Sequence, residues 1–131
     1  MQYLSLENAL SIHDLVLETS GGAKGVRNLN LLESPLVAIQ NDEFYPCLSD
    51  KLAFLMFSII NNHPFIDGNK RSSIATCAGF LIMNGYADLD FLHKYHFWAE
   101  LVAMNVATGK MNLGELKESF ERMLEVMRGL Q

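Results

Sequence analysis

Two stretches of this chain, residues 49–61 and 71–84, are apolar on nearly every side of a helix. The first contains Leu52, Ala53, Phe54, Leu55, Met56, Phe57, Ile59 and Ile60, with Ser49 as its expected N-cap. The second runs from Arg71 to Asn84, and Gly85 supplies a stop. A surface helix shows one apolar stripe, so a helix that is apolar all round belongs in the interior. Half of the 131 residues are hydrophobic (50%), enough to cover two such helices. By the usual size prior the chain is a single domain over 1–131. The expected class is all-α, a helical bundle with these two helices at its centre.

The outer helices follow from spacing. Ser5 is the expected cap of a helix that places Leu6, Leu10, His13, Val16 and Leu17 on one face and ends at Ser20-Gly21-Gly22. Asn28 is expected to cap a short helix through Leu32, with Pro35 opening another. A further helix is predicted from Phe91 to about Val106. Asn112 and Glu115 form a capping-box start for the last one, with Leu116, Phe120, Met123, Leu124 and Met127 as its apolar stripe. No strand pattern is convincing, although a short hairpin near Phe44 or Tyr86 fits.

Charge narrows the partners. Ten basic residues against fifteen acidic ones give a formal net charge of -5. A nucleic-acid binder carries a basic face, and none is visible. The longest apolar run, near Ile74 to Met83, is too short and mixed to span a bilayer. No basic segment followed by an apolar one opens the chain, so no signal peptide is expected. Cys47 and Cys77 do not suggest a disulfide framework. The expected setting is the cytoplasm.

Between the two central helices lies His63-Pro64-Phe65-Ile66-Asp67-Gly68-Asn69-Lys70-Arg71. Gly68 lets the backbone approach a ligand closely. Residues 68–71 would form the first turn of the second helix, whose unpaired N–H groups favour phosphate. Asn69 adds an amide donor, Arg71 a fork matched to phosphate oxygens, and Lys70 a mobile charge. Asp67 beside those phosphates suits Mg²⁺, which takes one or two carboxylates with phosphate and water. His63 can accept a proton from an attacking hydroxyl. Phe65 is expected to face inward as the anchor of the loop. The residues read as phosphoryl or nucleotidyl transfer.

This run resembles the signature of the Fic/Doc superfamily, His-x-Phe-x-(Asp/Glu)-(Gly/Ala)-Asn-(Gly/Lys)-Arg, at every defining position. The stretch Gly21 to Arg27 before Leu31-Leu32-Glu33 resembles the death-on-curing (Doc) branch. The resemblance implies a catalytic base at His63, a Mg²⁺ ligand at Asp67, and phosphate binding by Gly68, Asn69, Lys70 and Arg71. Fic adenylyltransferases have Gly in place of Lys70 and a second Arg in place of Ile74. Doc proteins share both departures and look like toxin kinases that use ATP to phosphorylate elongation factor Tu, halting translation. The inhibitory (Ser/Thr)-x-x-x-Glu-(Gly/Asn) pattern of some relatives is not found, which implies control in trans by an antitoxin. Two rival readings keep the loop: AMP transfer to a protein, and a non-catalytic module that holds a nucleotide or peptide.

Other candidates are weaker. His93 and His96 share a helix face at a spacing that can bind metal, but nothing obvious completes a site, so solvated histidines are expected. His13 is read as packing. Met111, Met123 and Met127 are read as core.

Overall fold

The computed structural model describes residues 1–129 and is all-helical. Six helices follow in order: α1 (Leu6–Ser20), α2 (Leu29–Ala38), α3 (Leu48–Asn62), α4 (Asn69–Met83), α5 (Leu89–Ala107) and α6 (Leu113–Gly129). The predicted centre is the observed centre. α3 packs against α2, α4, α5 and α6, and α4 also contacts α1 and α5. Leu52, Leu55, Met56 and Ile59 of α3 and Cys77, Phe80 and Leu81 of α4 are fully enclosed. Burying such a side chain contributes about 1.5–3 kcal/mol, so this pair of helices anchors everything attached to it.

The caps explain the helix starts. The Ser5 hydroxyl accepts from Asn8 N–H at 3.0 Å, and the Asn8 side chain answers to Ser5 N–H. Asn112 and Glu115 exchange the same reciprocal pair at the start of α6. Two expectations shift. α3 starts one residue before Ser49, at Leu48, because Asp50 reaches back to the Cys47 N–H at 3.0 Å and holds the entry. α2 is one helix with Pro35 inside it, not two. Leu32, Pro35 and Leu36 are buried on one face, and that continuous packing outweighs the hydrogen bond that Pro35 lacks.

No hairpin forms at Phe44 or Tyr86 among the described residues. The one strand-like feature described is an antiparallel bridge between Val26 and Phe65, which fastens the Gly-rich 21–28 segment onto the loop between α3 and α4. Cys77 is buried and free, and Cys47 is exposed and free. Met123 is buried, with Met111 and Met127 packed against the core. No described helix is long and apolar enough to cross a membrane.

Candidate active site

α3 ends at Asn62, and the chain then leaves the helix through His63, whose φ of 50° is the one positive value at a described non-glycine residue. The His63 imidazole is exposed, and no protein group hydrogen-bonds to it among the described residues. Phe65 is enclosed at 1% exposure, as expected of the anchor. Gly68, at φ 77°, stands as the cap of α4 without a side-chain hydrogen bond. The helix proper therefore starts at Asn69, one residue later than expected. Its first backbone bond comes from Ser72 N–H to the Gly68 carbonyl, at 2.8 Å. The N–H groups of Asn69, Lys70 and Arg71 are left to an outside acceptor, as the first turn of a helix requires.

Each motif side chain has a defined station. Asn69 clasps Phe65 both ways: its amide donates to the Phe65 carbonyl and accepts from the Phe65 N–H, each at 2.9 Å. Its first task is thus to close the loop. The Asp67 carboxylate accepts from Ala23 N–H at 3.0 Å and Gly68 N–H at 2.8 Å. Those two bonds, aided by the Arg71 charge, hold its carboxyl below the usual carboxylate range. The Arg71 guanidinium donates to Ser20 Oγ at 2.5 Å and to the Gly21 carbonyl at 2.8 Å. Its other nitrogen stands 3.9 Å from Asp67. The end of α1 therefore aims the Arg71 fork. Lys70 pairs with no acidic group among the described residues and lines the same cleft.

His63, Asp67, Gly68, Asn69, Lys70 and Arg71 all line one open cleft, together with Ile66 and Glu100. Sequence spacing had grouped the six motif residues but not Glu100, which arrives from α5 and pairs with His96 at 3.3 Å. Beside this polar cleft lies an apolar groove of about 600 Å³ between α1, α4 and α5, floored by Ile12, Ile74, Ala78 and Tyr95. Arg71 and Glu100 border both. Ile74 is buried at 2%, so the position carries an apolar wall and no cation. His93 and His96 are exposed, and among the described residues no group of His, Cys, Asp and Glu could hold a metal by itself.

His13 was read as packing and is indeed buried, but it packs on the motif itself. Its Nδ1 lies 2.5 Å from Ser72 Oγ and its ring stacks on Phe65. Arg27, Gly22 and Ala23 also touch the loop or its side chains. Their sequence signal was the Gly-rich spacing of residues 21–27, which marks a loop without saying where it docks.

Residues 3–81 match the sequence profile of the Fic/DOC family. The chain belongs to the Fic/DOC family. Among its relatives, the protein named Toxin Doc of Mycolicibacterium smegmatis is 35% identical over 96 residues, 68% of this chain and 72% of that one. The protein named Protein kinase doc of Escherichia phage P1 is 24% identical over 128 residues, 94% of this chain and 96% of that one. The family profile covers α1 to α4 up to Leu81, and so takes in the whole motif and the segment clamped to it.

Proposed function

We propose that this Fic/DOC protein is a Doc-like toxin kinase that moves the γ-phosphate of ATP onto a Ser or Thr hydroxyl of a protein. The observation that carries the reading is the shared cleft: an unencumbered imidazole, an ionised carboxylate and the open first turn of α4 with Lys70 and Arg71. His63 takes the proton of the attacking hydroxyl. The N–H groups of residues 69–71, the Lys70 ammonium and the Arg71 fork then neutralise the transferring oxygens. Catalysis of this kind is mainly positioning and electrostatics. ADP leaves and the hydroxyl oxygen carries the phosphate.

The donor set fits Mg²⁺. Asp67 is a single ionised carboxylate, 47% exposed, at the mouth of a phosphate turn, and Mg²⁺ binds through one or two carboxylates plus phosphate and water. When bound there, the ion would offset the charge of the phosphate oxygens.

Ile74 favours phosphoryl over adenylyl transfer. A triphosphate laid with its outer phosphates along α4 would meet an apolar wall there. Reversed, its γ-phosphate lies at the α4 turn. The kinase name of the phage P1 relative points the same way. Labelled ATP tests it: label from the γ position on the acceptor supports the kinase, label from the α position supports AMP transfer, and no label supports a binding module. Elongation factor Tu is the first acceptor to try, with arrest of translation as the expected cellular effect. The setting would be the cytoplasm.

The name of the M. smegmatis relative supports an antitoxin partner. The apolar groove beside Arg71 suits the apolar face of an amphipathic helix that folds as it binds. Such a helix would cover Arg71 and Glu100 at the border of the cleft, stopping transfer without touching His63.

A further inference from the structure

We infer that Arg27 is a positioning residue for the His63 base, holding it in the left-handed turn that ends α3. The inference rests on the kinase reading for its catalytic consequence, but its geometry stands alone. A left-handed backbone is unfavourable for an L-residue, although Asn, Asp and His tolerate it better than most. His63 adopts it, at φ 50° and ψ 63°, and the contacts around it hold it there.

The surroundings are Arg27 and its neighbours. The guanidinium donates from Nε to the His63 carbonyl at 2.7 Å and from Nη2 to the Asn62 carbonyl at 2.5 Å. The main-chain N–H of Arg27 and that of Asn28 both donate to the Pro64 carbonyl, at 2.7 and 3.0 Å. Ile66 N–H returns a bond to the Gly25 carbonyl at 3.1 Å. Three consecutive carbonyls, of residues 62, 63 and 64, thus end on one arginine and the residue after it. The Asn62 carbonyl is one that a helix end leaves without an intrahelical partner, and the other two follow directly after it. A fixed cation is also favoured at that end by the helix dipole.

No carboxylate competes for Arg27 among the described residues, and the side chain is exposed. It therefore contributes little to the core, and its donors are committed to the backbone that carries the base. A lysine lacks the planar fork and would hold the two carbonyls in a less fixed geometry. A general base must lie within hydrogen-bond reach of the proton it takes, and a misplacement of about 1 Å can cost about 10²-fold. Loosening the fork should therefore slow the chemical step and spare nucleotide binding.

The test compares wild type, Arg27→Lys and Arg27→Ala, with His63→Ala as the reference for loss of the base. Two readouts are needed: kcat and KM for ATP with purified elongation factor Tu as acceptor, and backbone ¹³C chemical shifts of residues 62–66 by NMR. Expected for Arg27→Ala is a kcat lower by about 10- to 100-fold. KM for ATP should stay within about twofold of wild type, and the shifts at His63 should leave the left-handed range. Arg27→Lys should fall between. Wild-type kcat in Arg27→Ala overturns the inference, and so do shifts that keep His63 left-handed. A raised KM at unchanged kcat overturns it too, by making Arg27 a ligand contact. If wild type transfers no phosphate, the kinase reading fails by itself and the shifts still decide the role of Arg27.

Discussion

The imidazole of His13 lies flat on the ring of Phe65, with centroids 3.6 Å apart and planes 6° from parallel. Phe65 anchors the loop from inside, and the other side of the same imidazole meets Ser72 on the first full turn of α4. One residue of α1 thus touches the motif loop at Phe65 and the first turn of α4 at Ser72. Burial disfavours the protonated ring: desolvation, and then the Arg71 charge, lower its pKa against the pull of Asp14 and Asp67.

That burial predicts an acid-side loss of stability. The folded chain binds the His13 proton less readily than the unfolded chain, whose value is near 6.5. Above that pH both states are neutral and nothing is lost. As pH falls below it, the unfolded state gains protons first, so stability declines down to the folded pKa. Melting temperature followed from pH 7.5 to 5 should show this fall (about 2 °C or more per kcal/mol). His13→Gln should have a lower melting temperature at pH 7 and a flatter slope. An unchanged slope in that variant would remove His13 as the titrating group.

Replacing the base tests the chemistry. His63→Ala should lower transfer by about 10²- to 10⁴-fold. The imidazole is exposed and makes no protein hydrogen bond among the described residues, so the melting temperature should hold. Transfer at the wild-type rate would take His63 out of the mechanism.

Metal dependence should follow Asp67. Transfer should stop in excess chelator, and Asp67→Asn should need more Mg²⁺ or Mn²⁺ to reach half its maximal rate. Activity untouched by chelator would end the proposal that Asp67 holds a divalent ion.

Gly22 offers a steric version of the same test. A Cβ at Gly22 would stand 2.8 Å from Asp67 Oδ2 and 3.1 Å from an Arg71 nitrogen. Gly22→Ala should therefore disturb the pair and lower transfer by about 10-fold or more. Gly109→Ala puts a similar strain on a left-handed glycine where nothing lies within 4 Å, so it should cost stability alone. Equal activity in the two variants would show that Asp67 and Arg71 tolerate displacement.

The groove proposed for an antitoxin helix can be blocked without touching the cleft. Leu15 lines it and is 59% exposed, so Leu15→Glu should fold normally. In co-expression it should weaken capture of an amphipathic antitoxin helix and restore toxicity. If Leu15→Glu is captured as well as wild type, the helix lies elsewhere.

The legible parts of the molecule were those written within one segment. The motif run could be read because its residues gather at one cleft within nine positions and its flanking helices are apolar. The caps at Ser5, Asn28 and Asn112 were equally local. Lys51 and Ser72 were hidden in the two apolar stretches. Lys51 is buried because its ammonium reaches the Ile39 carbonyl and Asp42, and Ser72 because it meets His13. Neither partner is visible along one helix. Arg27 and Glu100 were missed for the same reason: each reaches the site by tertiary packing, from 36 residues before His63 in the first case. Pro35 was read as a boundary because local preference favours one, and packing against α3 overrode it.

The central position of α3 has a consequence for how the protein is made. One side of α3 is covered by α6, through Leu116, Phe120, Met123 and Leu124, and Lys117 of α6 pairs with Asp50 at 2.7 Å. Of the described helices, α6 is translated last. Until that helix emerges, the helix that carries His63 lacks one wall, although every motif residue has already been translated. The nascent chain is thus expected to complete the walls of α3 only once α6 has emerged, so the proposed activity should lag behind synthesis of the motif itself.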